Sequence, residues 1–395
     1  MDINLSETES LHTKALAALI RQKIQLNHGW IRFSDYMKMA LYEPKLGYYC
    51  SKREKLGVQG DFTTAPEISL FFGKTIVNTI LPALEVLHKQ GKKTQVLEIG
   101  AGTGKLAQSI IEQLHDVGFP LDEYTILEIS PELQEIQKKR LSHDPSKTEC
   151  VWLDSLPKYF SGIVIANEVF DAIPCETIIL HQNQWHWYGI GLASNESQLI
   201  WKRGEALSQN QIANDLPPIL KTMHLYSEGY ITEIHPQAKT WIAKIMNMIE
   251  FGFFLCLDYG FPAKEYYHPQ RNQGSVLAHY RHQVMSDFLN IPGVCDLTSH
   301  VEWSSLAEIA KKNGCKGIFY SSQAAFLLEA GIGELALSEA KPDDPTIFLP
   351  ISNQLQTLLS EAEMGELFKV MAFEKNLMPL ALFDLPGLSG RIRSY

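Results

Sequence analysis

Few features of this sequence point to disulfides, metal binding or a repetitive architecture. Its six cysteines are scattered, with no Cys-x-x-Cys pair and no histidine at zinc-finger spacing. We therefore expect buried, reduced thiols, as in a cytosolic protein. His235, and His279 together with His282, could suggest a metal site, but no third ligand stands at a regular spacing from them. We therefore expect ordinary polar histidines and no metal. Internal repeats and low-complexity tracts are also missing, which argues against a solenoid.

Long apolar runs and targeting signals are missing as well. No window reaches the roughly 18 continuous apolar residues that a membrane span needs. The first residues, Met1 to Glu7, are acidic and resemble neither a secretory nor a mitochondrial presequence. These absences predict a soluble, cytoplasmic protein without a membrane span.

Positive charge is scarce, with 35 Lys and Arg against 45 Asp and Glu and a formal net charge of -10. Proteins that gain affinity from phosphate contacts need clustered basic residues, so we expect no nucleic acid partner. At 395 residues the chain exceeds the size at which a single core usually stops growing. One catalytic domain with large additions, or two domains, is therefore expected.

The first part of the chain predicts two helices and a long loop. Apolar residues recur at helical spacing over 8–27, and Ser34 and Asp35 can cap a second helix that reaches about Leu41. The stretch from Tyr42 to Pro66 mixes turn residues with aromatic ones, and loops of that length are usually functional or disordered. The aromatic residues favour a functional loop.

After a helix over about 68–89, strands and helices alternate. We predict strands at 95–99, 124–128, 149–153 and 162–166, and helices at 106–114 and 131–141. Short apolar strands separated by helices are typical of a doubly wound parallel sheet. The sequence therefore predicts an α/β fold with a Rossmann-like sheet.

Two segments interrupt this alternation. A period of two between 175 and 200 predicts an inserted antiparallel ribbon, and 259–300 is predicted to be irregular. The alternating pattern resumes with these predicted elements: a helix at 239–249, a strand at 253–258, a helix at 304–312, and strands at 316–320 and 368–373. The aromatic residues of 185–201 and 266–281 predict either a partner surface, which leaves a homodimer open, or additional core.

A glycine-rich turn follows the first strand of the alternating region, with the sequence Glu98-Ile99-Gly100-Ala101-Gly102-Thr103-Gly104. A phosphate-binding P-loop would need glycine in place of Ile99 and a hydroxyl residue in place of Leu106. A dinucleotide fold would need glycine where Lys105 stands. The remaining pattern resembles the first motif of class I methyltransferases. Glu98 at the end of the strand suits a cationic ligand without phosphate.

Polar residues also end the next three strands. Glu128 can accept both ribose hydroxyls of an adenosyl group, or it can cap the following helix. Asp154 resembles the position where such enzymes contact adenine, although a plain turn explains it equally well. Asn167, Glu168 and Asp171 follow the fourth strand, at the sheet edge where ligands bind. They either hold a methyl acceptor or cap a helix.

Together these motifs resemble the MidA family of class I S-adenosylmethionine-dependent methyltransferases. These proteins are bacterial relatives of the mitochondrial complex I assembly-factor methyltransferase. The match runs over nearly the whole chain and comprises residues 33–37 (FSDYM), 41–44 (LYEP), 47–49 (GYY), 60–69 (GDFTTAPEIS), the glycine turn, 167–174 (NEVFDAIP), 257–260 (LDYG) and 296–301 (DLTSHV).

The resemblance implies S-adenosyl-L-methionine as cofactor and an arginine of a protein as methyl acceptor. We predict that the loop Gly60-Asp61-Phe62 closes over the cofactor, unless it is a simple turn before the next helix. The complete set of predicted cofactor-binding residues is Gly60, Asp61, Phe62, Glu98, Gly100, Gly102, Gly104, Glu128, Asp154 and Asn167.

For catalysis we predict that Glu168 and Asp171 orient the acceptor guanidinium, with Glu233 and His300 as weaker candidates. We assign 1–75 to N-terminal helices with a cofactor-covering loop, and 76–395 to a methyltransferase domain with insertions at about 175–235 and 259–300. The chain shows no targeting sequence, and nothing in it identifies a respiratory-complex subunit, rather than another arginine-bearing protein, as partner.

Two other classes of function stay open at this stage. A noncatalytic assembly factor could keep the cofactor fold and use its aromatic insertions as a chaperone surface. A small-molecule methyltransferase would use the same motifs around a closed apolar pocket. An enzyme that uses NAD or ATP is disfavoured because both of the diagnostic glycine loops are absent.

Overall fold

The computed structural model describes residues 5–51, 63–142, 148–194, 198–281, 283–285, 287–390 and 393–395. The chain divides into two compact units. The parallel-sheet unit consists of residues 63–170, 241–260 and 306–395, and the antiparallel unit consists of residues 1–62, 171–240 and 261–305. Each unit is thus assembled from three separate segments. The division of the chain at residue 75 stays a prediction.

The helices and strands are numbered here in chain order. The helices are α1 Glu7–Leu26, α2 Phe33–Tyr42, α3 Ala65–Ile68, α4 Leu70–Lys89, α5 Lys105–Asp116, α6 Pro131–Leu141, α7 Gln209–Asn214, α8 Pro236–Met248, α9 Ala263–Tyr266, α10 Trp303–Lys312, α11 Gln323–Glu329, α12 Ile332–Glu339, α13 Pro345–Leu359 and α14 Met364–Leu367. The strands are β1 Trp30–Ile31, β2 Gln95–Ile99, β3 Glu123–Leu127, β4 Glu149–Leu153, β5 Phe160–Asn167, β6 Glu176–His181, β7 Gln184–Leu192, β8 Leu199–Ala206, β9 Ile231–Ile234, β10 Ile249–Phe261, β11 Leu277–Tyr280, β12 Gln283–Met285, β13 Asp296–Thr298, β14 Val301–Glu302, β15 Ile318–Ser322 and β16 Phe368–Lys375.

The central sheet of the parallel-sheet unit has the strand order β15-β16-β10-β5-β2-β3-β4. The strands β10, β5, β2, β3 and β4 are parallel to one another, whereas β16 is antiparallel to both β10 and β15. From β2 the chain first adds β3 and β4 on one side and then β5 and β10 on the other. The order therefore reverses between β2 and β5, and open α/β sheets bind ligands at such a switch point. The predicted α/β fold class is confirmed.

Burial explains why these segments form the middle of the sheet. Residues 251–258 of β10 are all buried, as expected for a central strand that is covered on both faces. The apolar core of this unit joins β2, β3, β5 and β10 to α4, α5 and the C-terminal elements. The carboxyl ends of the strands, where the predicted polar site residues lie, are therefore held by a rigid core.

Helix α4 is long and apolar enough to cross a membrane by length and composition alone, although 67% of its 18-residue window is buried inside the structure. Lys74 and Asn78 interrupt the stretch, and for that reason the sequence showed no continuous apolar run there. Core helices of folded proteins pass the same test, so this helix is only weak evidence for a membrane.

Several predicted elements need correction. The helix predicted over 68–89 is broken at Ser69, which is extended at φ -152° and whose Oγ accepts the Phe71 N–H at 3.2 Å. Helix α2 begins at Phe33 after Arg32, whose side chain forms no capping bond, so Ser34 lies inside the helix and its hydroxyl donates to Glu176 Oε1 at 2.9 Å. The stretch 259–300, predicted to be irregular, contains β11, β12 and β13, and the sequence did not predict α11 to α14.

The antiparallel unit contains the predicted ribbon. Strands β1, β7, β6 and β9 pair in that order, and β8 pairs with the free side of β7. The β6–β7 turn has positive φ at Gln182 (48°) and Asn183 (56°), which matches the right-handed twist of a tight hairpin. Trp185 and Trp187 are 1% and 2% exposed, so these two aromatic residues are core and cannot form a partner surface.

The six cysteines are all free, as predicted, but only three of them are buried. Cys175, Cys256 and Cys295 are buried, whereas the other three are partly exposed. The expectation of six buried thiols is therefore wrong for half of them.

Candidate active site

The glycine turn between β2 and α5 uses backbone that only glycine adopts without strain. Gly100, Gly102 and Gly104 have φ values of 66°, 52° and 82°. A Cβ on Gly100 would lie 3.0 Å from Cγ2 of Val169, so a side chain there would also crowd the segment after β5. Glycine at residue 100 therefore lets the turn pack directly against Val169.

Gln137 of α6 connects the glycine turn to the end of β3. Its Nε2 donates to the Gly102 carbonyl at 2.9 Å and to Glu128 Oε2 at 3.1 Å. Its Oε1 accepts the indole N–H of Trp152 in β4 at 2.9 Å. Because Gln137 is completely buried, these bonds fix the positions of two predicted cofactor-binding residues relative to each other.

Glu128 and Glu98 are the two buried carboxylates next to this turn. Glu128 Oε1 accepts the backbone N–H of Ser130 at 2.9 Å, and Ser130 itself is the N-cap of α6. Glu128 therefore supports the turn before α6 without being its cap. Glu98 accepts the Tyr124 hydroxyl at 2.8 Å. The pKa of Glu98 is raised to about 7, mainly by burial, which the Tyr124 hydrogen bond opposes and the charge of Glu128 reinforces.

The short helix α3 holds the glycine turn from its other side. The Glu67 carboxylate forms an ion pair with Lys105 Nζ at 2.8 Å and accepts the hydroxyl of Thr103. The lysine directly after the turn is thus already neutralised and is not available to hold a phosphate. This pairing agrees with the exclusion of a P-loop from the sequence.

The segment after β5 has a strained backbone. Glu168 has φ +53°, and its N–H donates to the Leu257 carbonyl at 2.9 Å. Buried Asp258 holds the next two residues, because its Oδ2 accepts the N–H groups of Val169 at 3.2 Å and Phe170 at 2.9 Å. Non-glycine residues in this conformation cost of order 1–3 kcal/mol and are concentrated at functional sites.

The side chains of Asn167 and Glu168 meet at this strained segment. Glu168 Oε1 accepts the Ala65 N–H at 3.3 Å and the amide of Asn167 at 3.2 Å. Asn167 Oδ1 is buried, and no donor from the described parts of the chain reaches it. No helix begins between Asn167 and Glu176 in this fully described stretch, so the helix-capping alternative for Asn167, Glu168 and Asp171 is wrong.

The remaining predicted site residues are less tied to this edge. Asp154 lies in an exposed bend directly after β4. Asp171 belongs to the antiparallel unit, where its backbone carbonyl accepts the N–H of Ser299 at 2.9 Å. The predicted loop residues Gly60, Asp61 and Phe62 lie outside the described residues. The weaker candidates Glu233 and His300 both line a cavity of the antiparallel unit.

The residues at the switch point suit a cationic adenosyl ligand. Three left-handed glycines give close backbone access, and two buried carboxylates replace the basic groups that a phosphate would need. The buried Oδ1 of Asn167 is an acceptor that the described residues leave unused. The end of β2 and the end of β5 are thus equipped for S-adenosyl-L-methionine rather than for a nucleotide phosphate.

Strand order, glycine turn and acidic strand ends together define a Rossmann-like methyltransferase of class I. A family model agrees with this class: residues 75–321 match Methyltransf_28, a family of S-adenosyl-L-methionine-dependent methyltransferases. The chain belongs to this family, and S-adenosyl-L-methionine is its cofactor.

Similar solved structures cover almost the entire chain. A COG1565 superfamily member from Burkholderia thailandensis bound to S-adenosyl-homocysteine is 36% identical, with a TM-score of 0.86 over 99% of this chain and 96% of its own. A native structure of a COG1565 superfamily protein from the same organism is 36% identical, with a TM-score of 0.88 over 99% of both chains.

Curated relatives are more distant but also long. A Drosophila melanogaster protein named "Protein arginine methyltransferase NDUFAF7 homolog, mitochondrial" is 27% identical over 96% of this chain and 89% of its own length. A Danio rerio protein named "Protein arginine methyltransferase NDUFAF7, mitochondrial" is 27% identical over 86% of this chain and 82% of its own. These relatives agree with the MidA-type resemblance, which is confirmed.

The sequence did not single out three residues that shape this site. Gln137 lies on a helix face without any motif, and its role depends on three contacts from different elements. Glu67 and Asp258 do fall within the family motifs 60–69 and 257–260. A carboxylate inside such a motif was a signal that we could have used.

Proposed function

We propose that this methyltransferase transfers a methyl group to an arginine nitrogen of a protein. The observation that carries this proposal is the Glu168 carboxylate, held on a strained backbone at the switch point beside Asn167. The names of the curated relatives, protein arginine methyltransferases from several animals, give independent support.

S-adenosyl-L-methionine, when bound, supplies an electrophilic methyl group on a sulfonium. The protein must bring a guanidinium nitrogen into line with that methyl, and alignment alone can contribute several kcal/mol. A guanidinium has a pKa above about 12, so a neighbouring carboxylate can both orient it by hydrogen bonds and stabilise its charge. In our proposal Glu168 accepts these N–H groups, Asp171 assists, and Asn167 contributes to the cofactor site.

The cofactor-binding set also remains our proposal. Glu98, the three glycines of the turn, Glu128 and Asn167 surround the ends of β2, β3 and β5. Asp154 is assigned by its place after β4, and Gly60, Asp61 and Phe62 only by the family motif. The domain division at residue 75 and the insertions at 175–235 and 259–300 likewise stay predictions.

Replacing Glu168 by Gln tests the central role. The variant keeps an oxygen for the Ala65 N–H but loses the charge, so we expect S-adenosylmethionine affinity within about twofold of wild type and transfer reduced at least 100-fold. Calorimetry measures the affinity, and transfer of radiolabelled methyl to proteins of cells that lack the enzyme, followed by methylarginine analysis, measures the reaction. Glu361→Gln, an exposed carboxylate of the same unit, is the matched control.

The cofactor affinity and the methyl transfer, taken together, separate the alternative functions. Loss of cofactor binding in Glu168→Gln would move this residue to the cofactor site. Label on another amino acid, or on small molecules alone, would contradict an arginine acceptor. Cofactor binding without any transfer by wild type would favour a noncatalytic assembly factor.

We also propose a cytoplasmic location and a protein partner, either a respiratory-complex subunit or another arginine-bearing protein, with the enzyme acting alone or as a homodimer. Free cysteines and the acidic composition agree with a cytoplasmic protein that binds neither nucleic acid nor membrane. The relatives are named mitochondrial, so fractionation of cells that express the tagged full-length chain is the direct test.

A further inference from the structure

The antiparallel unit contains a cavity of about 130 Å³. Glu233 of β9, Phe261, Tyr266, Ser275 and His300 contribute to its lining. An engineered protein cavity of about 150 Å³ is large enough to bind benzene, which has six heavy atoms. The cavity can therefore hold a smaller planar group, such as a guanidinium with its four heavy atoms.

The Glu233 carboxylate lies in a cradle of donors and is 1% exposed. The Ser275 N–H lies 2.9 Å from both carboxylate oxygens, and the hydroxyls of Ser275 and Tyr266 donate to Oε2 at 2.9 and 3.0 Å. Gly274 has φ +75°, and a Cβ there would lie 2.2 Å from Glu233 Oε1. The backbone can approach the carboxylate this closely only because residue 274 is glycine.

One oxygen of this carboxylate keeps accepting capacity. In the part of the chain that the structure describes, Oε1 receives only the Ser275 N–H, whereas Oε2 receives three donors. A carboxylate oxygen has two lone pairs. A ligand donor can therefore still bind to Oε1.

The charges around the cavity leave Glu233 without a counter-charge. No Lys or Arg of the described residues forms an ion pair with it, and Arg271 lies over the Phe261 ring at 4.0 Å and within 3.7 Å of Glu265. Burial and, to a smaller extent, the nearby Arg271 together lower the pKa of His300 to about 4, so this ring is neutral at pH 7. Neutral donors alone hold this buried carboxylate among the described residues, so a cationic ligand would supply the counter-charge that it lacks.

We propose that this cavity binds the guanidinium of an arginine of the substrate protein other than the one that Glu168 orients, with Glu233 as its counter-charge. This inference rests on the arginine substrate proposed above and adds a recognition residue for it. The Phe261 ring already holds the Arg271 guanidinium at 4.0 Å, so the lining includes an aromatic ring whose π system attracts positive charge. Glu233 binds the substrate in this proposal and takes no part in the transfer of the methyl group.

The first experiment measures binding of blocked arginine (N-acetyl-arginine methylamide) to the full-length chain by calorimetry or ligand-observed NMR. Blocked citrulline, which has nearly the same shape without the charge, is the ligand control. We expect binding of arginine and at least tenfold weaker binding of citrulline. Glu233→Gln should weaken arginine binding at least tenfold, whereas Glu228→Gln, an exposed carboxylate of the same unit, should leave it unchanged.

A second variant, Arg271→Gln, should strengthen arginine binding instead of weakening it. Arg271→Gln removes a positive charge from the cavity lining, and its side chain is 41% exposed, so folding should tolerate the change. A cationic ligand should then bind several-fold more tightly. Weaker arginine binding in Arg271→Gln would overturn the proposal, and this variant decides the question alone if Glu233→Gln fails to fold.

The outcomes for the two proposals can be separated. Equal binding of arginine by wild type and Glu233→Gln, or of citrulline and arginine by wild type, overturns the cavity assignment and leaves arginine methylation untouched. Charge-dependent binding at Glu233 in an enzyme that produces no methylarginine overturns the proposed function instead. Cofactor affinity of each variant, measured in parallel, shows that the parallel-sheet unit is still folded.

Discussion

Backbone conformation at single residues controls how closely a ligand can approach the end of β2. The φ of Gly102 is 52°, and a β-branched residue there is strongly disfavoured. We expect Gly102→Val to weaken S-adenosylmethionine binding at least tenfold, because the turn must change to relieve the strain. Titration calorimetry measures this loss.

Gly118→Val is the control for strain as such. Gly118 also has positive φ, at 73°, and no atom lies within 4 Å of a Cβ added there. This variant should lose stability to a similar degree and keep wild-type cofactor affinity. Equal losses of affinity in both variants would show that strain, and not the position in the turn, explains the effect of Gly102→Val.

The raised pKa of Glu98 predicts that the stability of the protein depends on pH. Burial raises the pKa of this carboxyl to about 7, from an ordinary value near 4.5. The folded protein then binds a proton that the unfolded chain does not between about pH 4.5 and 7. Its contribution to the free energy of unfolding is therefore fully present below pH 4.5 and is lost as the pH rises through 7.

The variant Glu98→Gln should remove this contribution, since an amide does not titrate and can still accept the Tyr124 hydroxyl. Denaturant unfolding of both proteins from pH 5 to 8 measures it. The free energy of unfolding of wild type minus that of the variant should fall by up to about 1.4 kcal/mol per pH unit below pH 7. A difference that stays constant across this range would contradict the raised pKa.

At the scale of elements, α6 joins the glycine turn to β3 and β4 through Gln137. Gln137→Met keeps a similar size but leaves the Trp152 indole N–H and the Gly102 carbonyl without this partner. An unsatisfied buried group costs about 1–3 kcal/mol. Because two groups lose this partner, we expect the free energy of unfolding to fall by about 2–6 kcal/mol and cofactor affinity to fall roughly tenfold, measured by denaturation and calorimetry.

The exposed Gln90 at the end of α4 offers a matched substitution. Gln90→Met changes the same side chain on the surface and should alter neither quantity. If Gln137→Met lowered stability while affinity stayed at the wild-type value, Gln137 would be a core residue with no role in positioning the cofactor turn.

Element boundaries were the part of the secondary structure that local patterns predicted least well. The apolar spacing of 68–89 is continuous, yet Ser69 breaks the helix because its side chain caps α4 and its backbone is extended. Ser34 looked like a cap, but its hydroxyl bonds Glu176, a residue 142 positions away in the sequence. Local sequence cannot show a partner that is distant along the chain.

At the scale of the whole molecule, cofactor binding should protect a defined part of the chain. At 100 times its Kd, a ligand stabilises the folded state by about 2.7 kcal/mol, which slows exchange through ligand-releasing openings about 100-fold. We expect S-adenosylhomocysteine to slow amide exchange in peptides that cover 96–106 and 124–130, measured by mass spectrometry. NAD at the same concentration should have no effect, and protection confined to β6–β8 would contradict the assigned site.

The sequence by itself determined the class of this protein. Alternating short apolar strands and helices predicted the parallel sheet. Single residues in and next to the glycine turn then excluded two kinds of nucleotide loop: Ile99 excluded the P-loop and Lys105 the dinucleotide loop. These features are local, since they depend on spacing, on the conformational freedom of glycine and on the position of a strand end. The resemblance to the family motifs then indicated which cofactor the protein binds.

Only the tertiary structure decided how these pieces come together. The sheet order, with β5 beside β2 and with β16 antiparallel between β15 and β10, depends on pairing between segments far apart in sequence. The same long-range packing brings Gln137 to its three partners. It also lets Asp258 accept hydrogen bonds from the N–H groups of Val169 and Phe170. The cradle of Glu233 depends on it too, because Ser275 and Tyr266 reach its carboxylate from more than 30 residues away.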